Sequence, residues 1–191
     1  MDYQITEYGA IADGVTNNSQ AIQKAVDACA AAGGGRVIVP TGKFLSGTIQ
    51  LKSHVTFYLE KGAELISSLR KEDILDFFGD SEFEDPSEAT GWEGGCFLYA
   101  LHEKDISILG EGTIYGQGDR VFYDDGADGG LGECPKNVRM EDRSRTTYFE
   151  DVENLTVRGI TFRDVAFWTL HMAGCRHVLV DGIRILNDQR G

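Results

Sequence analysis

The sequence predicts an all-β solenoid, a parallel β-helix in which short strands stack coil upon coil. Three observations carry this. First, one unit is written twice between Val152 and Asp188. Leu155, Val157, Ile160 and Phe162 flank Gly159, and Val178, Val180, Ile183 and Ile185 flank Gly182. The offset is 23 residues, from 178 − 155 and again from 182 − 159, and a fixed period of this size marks a repeat architecture. Second, apolar and polar residues alternate inside each unit, so the local period is 2 and the elements are strands. Third, 24 glycines in 191 residues punctuate the chain at each turn, as many short strands require. One such coil cannot bury its apolar face alone, and its neighbours complete the core.

In chain order, Asp2 to Thr6 reads as a first strand, followed by a turn-rich segment from Tyr8 to Ser19. Residues 19–32 form the one expected helix. Ile22, Ala25, Val26 and Cys29 share a face at helical spacing. Asn18 or Ser19 is placed to cap it, and Gly33-Gly-Gly35 stops it. A solenoid needs a cap over its first coil, and this amphipathic helix is placed to supply one. Residues 1–35 are therefore expected to be the cap and 36–191 the coils of one β-helix domain. Val37, Val39, Phe44, Ile49, Leu51, Val55, Phe57, Leu59 and a strand at Glu64 to Ile66 follow with period 2. Two stretches break the pattern: 67–100, acidic with Phe77, Phe78 and Trp92, and 119–145 with Phe122 and Tyr123. Both read as long loops, and long loops on a rigid scaffold tend to carry function. The coil is expected to resume at Asp105 to Gly110 and again at Thr146 to Phe149.

Composition sets bounds. The net charge of −13 lacks the basic footprint that nucleic acid demands, and it disfavours an anionic membrane surface. No run reaches membrane-spanning length. Met1-Asp2-Tyr3 opens without a basic and apolar leader. A cytoplasmic protein and a trimmed secreted chain are both compatible with that. Cys29, Cys96, Cys134 and Cys175 form no C-x-x-C pair, and Cys29 and Cys175 sit in apolar patterns.

Further segments carry a family likeness. They are Tyr8-Gly-Ala-Ile-Ala-Asp-Gly-Val-Thr-Asn17 with Gln20 to Asp27 and Gly34 to Gly42, then Leu109-Gly-Glu-Gly-Thr-Ile-Tyr-Gly-Gln-Gly118, and then Arg145-Thr-Thr-Tyr-Phe149, Phe167-Trp-Thr-Leu-His171 and Cys175-Arg-His-Val178. Together they resemble glycoside hydrolase family 28, the polygalacturonase-like enzymes of the pectin-lyase-like superfamily, over essentially the whole chain. Tyr115 stands where that family's G-x-G-x-I-D-G-x-G segment usually has Asp. The resemblance implies a right-handed β-helix, in keeping with the hand of parallel crossovers. It also implies inverting hydrolysis of pectin-like, galacturonate-containing polysaccharide. The family's carboxylates lie in N-x-D, D-D, G-H-G and R-x-K motifs expected after Asn187. Asn187-Asp-Gln189 is not N-x-D, and Asp124-Asp125 comes too early. The resemblance therefore implies the N-terminal part of such an enzyme, truncated at its C-terminal end, with no catalytic residue of its own and inactive alone. A coil left open there is expected to self-associate.

For substrate binding the sequence nominates Trp168, His171, Asp188 and Arg190. An aromatic platform beside an imidazole suits a sugar's C–H face and hydroxyls. The competing reading is a core tryptophan and a structural histidine. Asp188 and Arg190 adjoin the coil where the resemblance expects the active site. Arg145, Arg163 and Arg184 are further groups able to hold a carboxylate. No metal or other cofactor is expected. His171, Cys175 and His177 match no closed zinc pattern, and Asp124 to Gly129 fails the calcium-loop pattern. Two alternatives remain beside the hydrolase: a non-catalytic carbohydrate-binding β-helix, and a polysaccharide lyase or tailspike-type depolymerase. The two long loops are expected either to wall one end of the binding groove, which would favour attack at chain ends, or to shield the N-terminal coils.

Overall fold

The computed structural model describes residues 1–75, 95–121 and 144–187. A first, incomplete coil holds β1 (Asp2–Gln4) and β2 (Asp13–Asn17), followed by α1 (Ser19–Ala31). The next holds β3 (Gly35–Val39), β4 (Gly42–Ser46) and β5 (Ile49–Gln50), then β6 (Val55–Leu59), β7 (Ala63–Ser67) and β8 (Cys96–Leu101). β9 (Lys104–Gly110), β10 (Thr113–Tyr115), the short α2 (Gly118–Val121) and β11 (Arg145–Glu150) follow. The last described coils hold β12 (Glu153–Arg158), β13 (Thr161–Arg163), β14 (His171–Ala173), β15 (Arg176–Asp181) and β16 (Arg184–Leu186).

Every pairing is parallel and joins one coil to the next. Sheet A runs β1-β3-β6-β9-β12-β15, sheet B runs β2-β4-β7-β10-β13-β16, and sheet C runs β5-β8-β11-β14. The fold is a right-handed parallel β-helix. Inward residues stack in columns. Val37, Phe57, Ile108 and Val157 align on sheet A, and Phe44, Leu65, Ile114 and Phe162 on sheet B, all fully buried. The 23-residue offset is the register itself: Leu155 pairs with Val178 and Val157 with Val180. On the last described coil the same columns hold Val180 and Ile185, which are exposed.

α1 closes the first coil with Ile22, Ala25, Val26 and Cys29, all buried. Neither expected cap forms. Asn18 occupies the N-cap position without a capping bond. Its buried amide accepts from Ile11 N (2.7 Å) and donates to the carbonyls of Ile11, Thr16 and Leu45, tying the entry to the helix onto β4. Asn17 Oδ1 accepts Ser19 N instead, at 2.9 Å.

Three boundaries differ from the sequence reading. Asp13–Asn17 is a strand, held to β4 with a register shift. The first strand ends at Gln4, where a tight turn at Ile5–Tyr8 closes on Gly9. The first long loop ends earlier than expected, because β8 begins at Cys96. The run Cys96-Phe-Leu hides its period by burying three consecutive residues. Phe77, Phe78, Trp92, Phe122 and Tyr123 lie outside the described residues, and the wall expected of their loops lies there with them.

Sheet A is entered through a repeated corner. His54 precedes β6, and Asp105, Asn154 and His177 are the second residues of β9, β12 and β15; each has a φ between 55 and 64°. Their side chains form a ladder: His54 Nδ1 lies 3.1 Å from Asp105 Oδ2, Asn154 Nδ2 donates to Asp105 Oδ1 at 2.8 Å, and His177 Nδ1 lies 3.2 Å from Asn154 Oδ1. At the exit from sheet A, Gly110 has φ +123°, and a Cβ there would fall 2.0 Å from the Leu59 carbonyl oxygen. Only glycine fits that approach.

Candidate substrate-facing edge

The corner from sheet B to sheet C is where the coil departs most from its minimum length. Residues 68–95, 116–144 and 164–170 all bridge β-strands of these two sheets. In the last of these bridges stand Phe167 and Trp168, immediately before β14.

Trp168 and His171 meet there. Their rings lie edge to face, 4.3 Å apart at 86°. Phe167 stacks on Trp168 at 5.1 Å, and Tyr148 meets His171 edge-on at 4.8 Å. The Arg145 guanidinium lies 5.2 Å from the Trp168 ring centre and 5.9 Å from that of Tyr148. The backbone fixes the group: Thr146 N donates to Trp168 O at 2.9 Å, and Thr147 Oγ1 to Thr169 O at 2.9 Å. Trp168 remains 48% exposed at the edge of the cluster. Burial, followed by the Arg145 charge, lowers the His171 pKa to about 4. At neutral pH this imidazole is uncharged and can both donate and accept a hydrogen bond. An aromatic ring beside a neutral donor–acceptor has the chemistry to meet a sugar's C–H face and hydroxyls.

Two members of this cluster follow from the repeat. The offset 171 − 148 is 23 and the offset 168 − 145 is 23. The period thus places Tyr148 beneath His171, as their pairing shows, and Arg145 beneath Trp168. Arg145 stood among the arginines nominated for a carboxylate, whereas Tyr148 was passed over as a plain coil residue. Tyr148 is fully buried and its hydroxyl donates to Glu150 Oε2 at 2.6 Å. His102 Nε2 lies 3.7 Å from Glu150 Oε1.

The other nominated residues divide. Asp188 and Arg190 lie outside the described residues. Arg163 is committed within the coil: it pairs with Glu64 at 3.2 Å and covers the Tyr115 ring at 4.0 Å. Tyr115, the residue in place of aspartate, donates to Asp119 at 2.7 Å. Burial and then that bond push its phenol up to about 12. Arg184 is exposed on β16. His171, Cys175 and His177 serve separate neighbours. Cys175 Sγ donates to Phe149 O at 3.3 Å, and His177 joins the ladder at the start of the sheet A strands. Among the described residues, no group of three or more His, Cys, Asp or Glu is placed to hold a metal ion, and no helix is long and apolar enough to cross a membrane.

The family model described as rhamnogalacturonase A/epimerase, pectate lyase-like, matches residues 3–63. The chain is 38% identical over 122 residues to the exo-poly-α-D-galacturonosidase of Dickeya chrysanthemi, covering 60% of this chain and 19% of that protein. It is 32% identical over 186 residues to the plasmin and fibronectin-binding protein A of Streptococcus pneumoniae, covering 95% of this chain and 24% of that protein. The chain thus spans a quarter or less of these two relatives' lengths. Among solved structures, the Yersinia enterocolitica family 28 exopolygalacturonase superposes with a TM-score of 0.78 at 23% identity, over 98% of this chain and 39% of that one. The chain thus matches a pectate lyase-like family model over its N-terminal third, shares the right-handed parallel β-helix fold, and has proteins named polygalacturonase among its relatives.

Proposed function

We propose that these residues are the N-terminal coils and part of the substrate edge of a glycoside hydrolase that cleaves galacturonate-containing polysaccharide. The observation that carries this is the sheet B–sheet C corner, where the long connections leave and where Trp168 and His171 come together. The names of polygalacturonase relatives supply the substrate class. The reaction is inverting hydrolysis. One carboxylic acid protonates the leaving oxygen, and an opposed carboxylate, roughly 6.5–9.5 Å away, activates water. We place those carboxylates outside the 191 residues, so the chain alone releases no reducing ends. Residues 1–191 then act as one domain, with α1 as its cap. Relatives named for exo activity favour attack at chain ends. Incubating the longer protein with polygalacturonate while following anomeric proton signals tests this. Monomer or dimer release with inverted configuration is expected; retention, or no release, overturns it.

A second reading has its own support. The relative of Streptococcus pneumoniae is named for binding plasmin and fibronectin, which favours a β-helix that binds without cleaving. Saturable retention on a polygalacturonate or fibronectin surface with no reducing ends released would favour this reading. The exposed Val178, Val180, Ile185 and Leu186 support self-association through the last described coil. Light scattering of the chain would then give a mass above that of one copy.

A further inference from the structure

The outward row of sheet C that ends at His171 begins at Gln50. The register runs Gln50, Tyr99, Tyr148, His171. At the Gln50 end lies a groove of about 540 Å3, lined by Gln23, Gln50, Lys71, Asp73 and Tyr99 among others. That volume falls within the range of small-molecule sites. Much of the lining is already occupied by internal bonds. The Gln23 amide exchanges hydrogen bonds with the Gln50 backbone at 2.9 and 3.1 Å. Thr48 Oγ1 donates to Cys96 O and accepts Leu75 N. Glu72 is taken by Arg70, and one Asp73 oxygen by Ser68 Oγ at 2.6 Å. Two polar groups of the lining are left over: among the described residues, the Gln50 side-chain amide and the Lys71 ammonium have no hydrogen-bond or ion-pair partner. Tyr99, half-buried, supplies a ring beside them.

We propose that this groove is a glycan site distinct from the Trp168 edge, and that it takes an uncharged sugar residue. The amide, the ammonium and the carboxylate together provide the donors and acceptors that adjacent hydroxyls need, and the Tyr99 ring provides a C–H-facing wall. The charges cancel locally: Lys71 and Asp73 both line the groove, and Glu72 is paired with Arg70. With a chain charge of −13, nothing in the groove singles out a sugar carboxylate. The site is separate because Tyr148, between the two ends of the row, is fully buried. Three strand steps put the ends about 14 Å apart. A polysaccharide that mixes acidic and neutral residues, or carries neutral branches, would be held at two points, and the second contact forms at high effective concentration.

This site goes beyond the hydrolase reading and does not depend on it. The test titrates isotope-labelled chain with neutral galactan and arabinan tetrasaccharides and, in parallel, with tetragalacturonate, following amide shifts. Saturable shifts at Gln50, Tyr99 and residues 71–75 are expected with a neutral sugar. Gln50→Ala should weaken that binding about tenfold, the loss expected from a hydrogen bond to an uncharged partner. Lys71→Ala, on an exposed side chain, should weaken it without altering the spectrum elsewhere. No saturable shift with either neutral sugar overturns the proposal. So does equal or tighter binding of tetragalacturonate at these amides, or unchanged affinity in a folded Gln50→Ala variant. Polygalacturonate hydrolysis by the longer protein without sugar binding here would sink this site alone. Binding here without hydrolysis would sink only the hydrolase reading.

Discussion

His171 is enclosed by Tyr148 and Trp168 and stands near the Arg145 guanidinium, and this environment decides its charge. Folded, it resists protonation down to about pH 4. In the unfolded chain an imidazole takes its proton near pH 6.5. The folded state therefore loses stability relative to the unfolded one as pH falls from about 6.5 toward 4, and gains nothing more above that window. Urea midpoints at about pH 7.5 and pH 5 should diverge more in the natural chain than in His171→Gln. Equal divergence would show that the ring is not shielded. At this scale the sequence is readable wherever the 23-residue period runs. Trp168, His171 and their partners one coil below all obey it. Gln50 and Tyr99 escaped because they lie on coils whose sheet B–sheet C connections differ in length, so no fixed offset links them to Tyr148. Asn18 was misassigned because local spacing makes it a helix cap. Its bond to Leu45, 27 residues away, is a tertiary contact that spacing does not encode.

The corner ladder sets the behaviour of the sheet A strands. Asn154 contributes in two ways: it tolerates a φ of 60° and it hydrogen-bonds to Asp105 while lying beside His177. Asn154→Ala loses both. Asn154→Gly loses only the side-chain contacts, because glycine adopts positive φ freely. We expect the glycine variant to be the more stable of the two by about 0.5–1 kcal/mol, measured by urea unfolding. The reverse order would mean that the left-handed backbone is not under steric strain. Strands β3, β4, β6 and β12 of sheets A and B alternate, and their positions follow from period 2, whereas β2 does not. β8 and β11 do not, since β11 is buried on both faces and β8 buries both faces of its first turn. A strand covered on both sides loses the alternation by which a sequence announces it.

Across the whole molecule, burial changes along the axis. The sheet A column is fully buried at Val37, Phe57, Ile108 and Val157, yet Val180 is 39% exposed. Each coil is stabilised by its neighbours, so a coil with one covered face is the first to open. Hydrogen exchange in the 191-residue chain should be slowest in β6 and β9 and fastest in β15 and β16. Uniform protection would contradict that gradient. The helix α1 has the opposite consequence for the other end, and it bears on how the chain is made. A polypeptide leaves the ribosome N-terminus first and tends to fold in that order. Here the closed lid, with the coils directly beneath it, emerges before the later coils. Each later coil then finds a finished strand edge waiting as a template, and assembly proceeds in one direction from a capped base. A charge buried early, such as Val37→Asp, should stop growth for everything that follows, whereas the same change at Val180 should spare the coils already laid down.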